Sequence, residues 1–241
     1  MRVLVAGASG AIGTRLVPQL TDRGHEVTGT CHSPDKAEQL RALGAEPVVL
    51  DALDARAVRE AVKGAEPDAI IHQATALANV RLGRNLDRTF APTNRLRTEG
   101  TDNLLAAAQD ASVRRFVAQS FASLRYAREG GMVKSEEDPL DPDPLAKTRE
   151  TNAAMRHLDQ AVTDAGGIAL RYGGFYGASN DGVVGPVRKR QFPIVGDGGG
   201  FSSIRGTMRW DNISGVPQNE QFAGFRSRQQ VWVDSRVAAG D

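Results

Sequence analysis

Short, nearly continuous apolar runs alternate with amphipathic stretches of helix length through the first two-thirds of the chain. The runs are Val3-Leu4-Val5-Ala6, Val27-Thr28-Gly29-Thr30, Pro47-Val48-Val49-Leu50, Ala69-Ile70-Ile71-His72, Phe116-Val117-Ala118 and Ile168-Ala169-Leu170. Between them lie Ala11 to Arg23, Pro34 to Leu43, Ala55 to Lys63 and Thr93 to Gln109. Apolar strands that do not alternate with polar positions are buried on both faces. Separated by helices, they predict an α/β fold, a doubly wound parallel sheet built of βαβ units. Gly24 and Gly44 stand where helices end before the next strand. Ser33-Pro34 predicts a capped helix start, and Pro92 predicts an interruption, with the helix restarting near Thr93. The pattern changes after about Tyr176. One helix is expected between Asn180 and Arg190, and beyond Gly196-Asp197-Gly198-Gly199-Gly200 neither helical nor strand periodicity persists. Residues 1–176 are therefore predicted as the α/β domain, and residues 177–241 as a reduced, irregular C-terminal lobe.

Directly after the first strand comes Gly7-Ala8-Ser9-Gly10-Ala11-Ile12-Gly13, opening an amphipathic segment. Glycines here permit a tight turn, close approach of backbone to a pyrophosphate, and close helix-to-strand packing. A helix N-terminus adds unpaired N–H donors and the positive end of its dipole. Because the loop sits between strand and helix at the head of a repeating β/α chain, it predicts a dinucleotide site of Rossmann type.

The Gly-x-x-Gly-x-x-Gly spacing resembles that of the extended and atypical short-chain dehydrogenase/reductase superfamily, which includes the NAD-dependent epimerase/dehydratase proteins. Further segments over roughly residues 1–200 carry the same resemblance. Val49-Leu50-Asp51-Ala52-Leu53-Asp54 is similar to the family's adenine segment, which assigns Asp51 and Ala52 to the cofactor. Ile71-His72-Gln73-Ala74-Thr75-Ala76 resembles the segment lining pyrophosphate and ribose, through Gln73, Ala74 and Thr75. Asn94 falls in the family's long helix, and Phe116-Val117-Ala118-Gln119-Ser120 resembles its fifth strand ending in serine. Leu170-Arg171-Tyr172-Gly173-Gly174-Phe175-Tyr176-Gly177 is similar to the strand-six exit beside the nicotinamide, which assigns Tyr172 and Phe175. The resemblance implies an NAD(P)-binding oxidoreductase or epimerase acting on a carbonyl or sugar-nucleotide-like small molecule, and it admits a homodimer.

An NAD-specific site usually has a carboxylate at the second-strand exit to hold the ribose 2′-hydroxyl. Thr30-Cys31-His32-Ser33 offers none. His32 and Ser33, with Lys36, favour a 2′-phosphate and hence NADP over NAD, unless His32 and Lys36 are simply solvated.

The family's chemistry runs on a Tyr-x-x-x-Lys pair, in which the lysine lowers the tyrosine pKa so that phenolate can act as base. This chain has tyrosines only at Tyr126, Tyr172 and Tyr176, and the residues four further on are Gly130, Tyr176 and Asn180. No such pair exists. Ser120, Ser123 and Tyr126 are the candidate catalytic substitutes, and Lys147 is the lysine nearest the expected helix. Two functions stay open, a reductase or epimerase without the usual base, and a protein that binds NADP as a sensor or scaffold without turnover. Downstream, Phe201-Ser202-Ser203-Ile204-Arg205-Gly206 stands where the family has a His-Val-Asp-Asp-like stretch. The last 40 or so residues read as divergent or out of register.

Composition narrows partners more than function. The 241 residues suit one large α/β domain with a small appendage. A net charge of +1 argues against nucleic-acid or membrane-surface partners. Cys31 is the single cysteine, which rules out an internal disulfide and suits a reducing compartment. No run nears the roughly 18 apolar residues of a membrane span, so a soluble, cytoplasmic protein is expected. The histidines His25, His32, His72 and His157 are scattered and neighbour no cysteine, so no metal is expected.

Overall fold

The first strand, β1 (Arg2–Ala6), sorts its side chains into two separate cores, and the rest of the sheet follows from that division. Val3 and Val5 pack on one face with Val17, Val27, Leu40 and Ala45. Leu4 and Ala6 pack on the other with Val58, Val62, Leu104, Phe116 and Leu158. Burying an aliphatic side chain contributes roughly 1.5–3 kcal/mol, and in β1 both faces collect it. A strand used in this way needs apolar residues at consecutive positions, which is why its sequence shows no alternation.

The computed structural model of the chain describes residues 1–78, 80, 85–122, 125–127, 129, 134–135 and 137–173. After β1 come α1 (Gly13–Asp22), β2 (Glu26–Cys31), α2 (Ala37–Ala42), β3 (Ala45–Val49), α3 (Ala55–Ala65), β4 (Ala69–His72), α4 (Leu86–Arg95), α5 (Thr101–Asp110), β5 (Arg115–Phe121), α6 (Arg149–Asp164) and β6 (Ile168–Tyr172). The strands form a six-stranded sheet in the order β3-β2-β1-β4-β5-β6. β1 pairs in parallel with β2 and with β4, so that Val3 lies opposite both Val27 and Ala69. Helices α1 and α2 cover the face of Val3 and Val5, while α3, α5 and α6 cover the face of Leu4 and Ala6. Between β1 and β4 the strand order reverses direction, and in such sheets the crevice at that point takes the ligand.

The local signals mostly act as the sequence predicts. Gly24 and Gly44 have φ of 77° and 89° and close α1 and α2. Asp54 caps α3, its carboxylate accepting from the N–H groups of Arg56 and Ala57. Two expectations need correction. Pro92 does not interrupt its helix, because α4 starts earlier, where the Asn85 side chain accepts from the Arg88 N–H, and runs on through Pro92 to Arg95. Pro92 is exposed and its carbonyl still accepts from Leu96, so only the hydrogen bond that its missing N–H would have made is lost. Ser33 precedes a 3₁₀ turn, Pro34–Lys36, rather than an α-helix, and its side chain makes no capping bond.

The chain divides into two compact units, residues Met1–Ser120 with Leu145–Leu170, and Phe121–Pro144 with Arg171–Asp241. Within the second unit, Tyr126 bridges Leu140 in antiparallel fashion. The Ala127 N–H donates to Pro139 O at 2.8 Å and the Asp141 N–H to Arg125 O at 2.7 Å. The predicted lobe over 177–241, its helix at 180–190 and the boundary at 176 lie outside the described residues. Among the described residues no helix is long and apolar enough to cross a membrane.

Gly13 is where α1 touches the loop before it most closely. A Cβ there would lie 2.5 Å from both the Cα and the carbonyl carbon of Ala8, which are backbone atoms that cannot swing aside. Gly13→Ala should therefore cost about 2–3 kcal/mol of stability, in the range of overpacked cores. Urea unfolding would measure it; an unchanged midpoint would mean that α1 can back away from Ala8.

Candidate functional site

The glycine loop joins β1 to α1 at the carboxyl edge of the sheet. Gly7 has φ of 81°, and a Cβ there would stand 2.6 Å from the Cα and N of Ala74, beyond β4. The loop is tied to β2 as well. The Gly7 N–H donates to Thr30 Oγ1 at 3.1 Å and the Ala8 N–H to Thr30 O at 3.0 Å. Gly29 adds a further close approach, since a Cβ there would lie 2.9 Å from the Ala8 methyl carbon. Gly10 differs from its neighbours. It is exposed, its φ is not of the left-handed kind, and a Cβ would meet only Gly7 O, at 3.2 Å. Packing against the backbone of Ala74 and Ala8 thus accounts for Gly7 and Gly13, whereas at Gly10 the crowding comes only from the Gly7 carbonyl. Ser9 is half-buried and Ala11 exposed. Ile12 occupies the N-cap of α1, where no side chain bonds the free N–H groups and the first turn carries no acid. An open backbone cradle against an uncapped helix N-terminus fits a pyrophosphate.

Three further strand exits border this edge. Beyond β2, His32 is exposed and Ser33 half-buried, with Ser33 O accepting from the Cys31 thiol at 3.4 Å. Beyond β3, exposed Asp51 accepts from the Leu53 N–H at 2.9 Å, and Ala52 is buried with its carbonyl held by Asn103 Nδ2 at 3.0 Å. Beyond β4, Gln73 is buried, Ala74 and Thr75 are half-buried, and the Ala76 N–H donates to Thr93 Oγ1 at 3.1 Å.

His72, the last residue of β4, is buried behind this rim. The Ala74 N–H donates to its Nδ1 at 3.4 Å, and its Nε2 lies 3.4 Å from Leu96 O. One neutral tautomer, protonated on Nε2, satisfies both. Burial holds its pKa down to about 4, the Leu96 carbonyl opposing this and the nearby Arg97 guanidinium assisting it. Leu96 opens a π-helical turn, Leu96–Gly100, between α4 and α5, and such turns collect at functional sites. Asn94 is enclosed. Its Nδ2 donates to Thr151 Oγ1 at 3.2 Å and its Oδ1 accepts from Arg97 at 3.4 Å. Asp87 is buried too, and its two carboxylate oxygens accept from the N–H groups of Glu150 and Thr151 at 3.1 and 2.8 Å, capping α6. Thr30 and His72 stand in segments singled out above but without a role of their own, and Asp87 has no motif to announce it. The detectable signal was only a polar residue at the end of an apolar strand, or one inside a helix otherwise read by its apolar face.

Of the residues expected to do chemistry, Ser120 is buried near the end of β5 in the first unit, whereas half-buried Tyr126 and Tyr172 belong to the second. Lys147 is exposed in a 3₁₀ turn, Ala146–Thr148, that leads into α6. His157 Nε2 sits 2.7 Å from Asp102 Oδ1, joining α6 to α5 on the surface. Ser123 and Phe175 lie outside the described residues. Among the described residues, no group of three or more His, Cys, Asp or Glu side chains could hold a metal.

The model of a family described as NAD(P)H-binding matches residues 7–166. The chain is 41% identical over 213 residues to the 3-diazoavenalumate denitrifying reductase of a Streptomyces species, covering 85% of this chain and 67% of that one. It is 28% identical over 210 residues to the 4-hydroxy-2-methyl-3-oxo-4-farnesyl-3,4-dihydroquinoline-1-oxide ketoreductase of Stigmatella aurantiaca, covering 83% and 59%. Among solved structures, the UDP-glucose 4-epimerase of Thermus thermophilus in complex with NAD is similar at a TM-score of 0.62 and 27% identity, covering 79% of this chain and 62% of that one. The chain thus spans between 59% and 67% of the length of these relatives.

The enclosed imidazole gives a pH signature. His72 binds its proton only near pH 4 in the folded protein, against an ordinary value of about 6.5. The unfolded chain therefore takes up the proton first as pH falls. Stability from this group is complete above about pH 6.5 and is lost progressively toward pH 4, to a total of roughly 3 kcal/mol. Replacing it, as in His72→Gln, should flatten the acid limb of stability over that window. Urea midpoints at pH 4.5 and 7 for both proteins test this, and equal pH slopes would contradict it.

Proposed function

The chain belongs to the NAD(P)H-binding family, within the epimerase/dehydratase type of the short-chain dehydrogenase/reductase superfamily, and on that premise we propose that it is an NADPH-dependent reductase of a small electrophilic molecule. The observation that carries this reading is the contrast within the glycine loop, where the backbone of Ala74 and Ala8 closes on the Cβ positions of Gly7 and Gly13 to 2.6 Å or less, while a Cβ on exposed Gly10 would meet only Gly7 O, at 3.2 Å. In this reading the backbone N–H groups of Ser9, Ala11, Ile12 and Gly13 hold the pyrophosphate, while the Gly10 N–H closes the loop on Gly7 O at 3.0 Å and Gly10 itself leaves the approach clear of a side chain. Asp51 and Ala52 border the adenine, and Gln73, Ala74, Thr75 and Asn94 border the pyrophosphate and ribose. Tyr172 and Phe175 flank the nicotinamide. His32 and Ser33, with Lys36, take the 2′-phosphate, since Thr30-Cys31-His32-Ser33 carries no carboxylate to hold the 2′-hydroxyl instead, exposed Asp35 following in the turn beyond. The cofactor, when bound, supplies a hydride.

The missing Tyr-x-x-x-Lys pair bears on the acceptor. A carbonyl needs a proton at its oxygen as hydride arrives at carbon. In this reading the Tyr126 hydroxyl gives that proton, with Ser120 and Ser123 orienting the oxygen. A diazonium group makes no such demand. Hydride adds to its terminal nitrogen, and the resulting diazene releases N2 while its hydrogen passes to carbon. The diazo reductase relative supports this acceptor, and the ketoreductase relative supports the carbonyl. The same missing pair favours a second reading, in which the protein binds NADP without turnover.

Titration followed by nicotinamide fluorescence should show NADPH binding more tightly than NADH, and Gly10→Val should bind neither while still unfolding cooperatively. NADPH oxidation by an aryl diazonium salt should then exceed the background set by Gly10→Val and persist in Tyr126→Phe. Any carbonyl reduction should fall on that change by about 10²–10⁴, the usual worth of acid–base assistance. Wild-type affinity in a folded Gly10→Val protein would overturn the cofactor assignment. Tight binding with no turnover of either acceptor would select the non-catalytic reading.

A further inference from the structure

Nothing in the cofactor assignment uses the enclosed imidazole of His72, yet it is one of the points through which the β4 exit is held, beside the Gln73 N–H that donates to Ala6 O at 2.8 Å. Gly7 and Ala74 are already as close as backbone permits, because a Cβ on Gly7 would stand 2.6 Å from two Ala74 backbone atoms. The position of Ala74 is therefore felt directly by the glycine loop. Ala74 is anchored on its far side by one bond, its N–H donating to His72 Nδ1 at 3.4 Å. The ring is in turn fixed by Leu96 O, 3.4 Å from Nε2, in the π-helical turn where Thr101 also donates to the same carbonyl. A second stitch, from the Ala76 N–H to Thr93 Oγ1, ties the same exit to α4.

We propose that His72 is a positioning residue for dinucleotide binding. By accepting from Ala74 and donating to Leu96, it fixes the separation between the β4 exit and the glycine loop, and with it the width of the pyrophosphate cradle. This rests on the cofactor reading above. The ring itself touches no ligand, and its effect passes through the backbone of Ala74 and Gly7.

Two substitutions separate its two bonds. In His72→Asn the side-chain oxygen can take the place of Nδ1 and keep the Ala74 bond while losing reach to Leu96. In His72→Gln the amide nitrogen can reach Leu96 O, and the acceptor for Ala74 is lost. Both should lower the melting temperature. Only His72→Gln should weaken NADPH binding markedly, by about tenfold, the worth of one buried hydrogen bond, with His72→Asn within about threefold of wild type. Affinities equal to wild type in both variants would overturn the proposal, as would losses that simply track the melting temperatures. If neither variant folds, amide exchange in the wild type decides. The Ala74 N–H should exchange slowly and more slowly still with NADPH, whereas fast exchange, or exchange indifferent to NADPH, would overturn the proposal. A wild-type protein that binds no dinucleotide overturns the cofactor reading and this proposal together.

Discussion

The approach of Gly7 to Ala74 is the constraint on which the rest of the site depends. Two neighbouring parallel strands leave the sheet at the same edge, and their exit backbones meet at a distance that excludes even a methyl group. That contact is possible because β1 is flanked by β2 and β4 and buried on both faces, so its end cannot move to relieve the crowding. Having turned at Gly7, the chain is latched to β2 by both oxygens of Thr30 and then pressed against α1 at Gly13. The least crowded of the three fingerprint glycines is Gly10, where a Cβ would meet only Gly7 O, at 3.2 Å. A loop held so firmly on its protein sides presents its N–H groups preorganised on the remaining side, which reduces the entropy lost when a ligand is bound.

Behind that surface runs a buried polar frame. Ala74 leads to His72, His72 to Leu96 and the π-helical turn, and the neighbouring Asn94 to Thr151 at the start of α6, where Asp87 supplies the cap. Each of these groups is costly to enclose unless its partner is present. The frame therefore specifies a single arrangement of the β4 exit, α4 and α6. The start of α6 is held in place by this frame through Asp87 and Asn94.

The sheet and the glycine loop were legible because their signals are repeated. Six apolar runs, each bounded by a helix-length segment, leave little freedom in topology, and Gly24 and Gly44 fall at helix ends where positive φ is required. Pro92 misled because a proline signal is local, while the Asn85 cap and the packing of α4 on α6 act over the whole helix. His72 and Asp87 were passed over for a different reason. Their roles come from partners 24 and 63 residues away, and nothing in the adjacent sequence marks them. Asn94 was legible as a helix-interior asparagine, but its bond to Thr151 exists only once α4 and α6 are packed.

The central claim is that the open side of the glycine loop holds the pyrophosphate of NADPH, and a crystal structure of the complex tests it most directly. Phosphate oxygens should lie at hydrogen-bonding distance, about 2.7–3.2 Å, from backbone nitrogens between Ser9 and Gly13, with Gly10 beneath the pyrophosphate. A dinucleotide bound away from this loop, or held there only by side chains, would contradict the account.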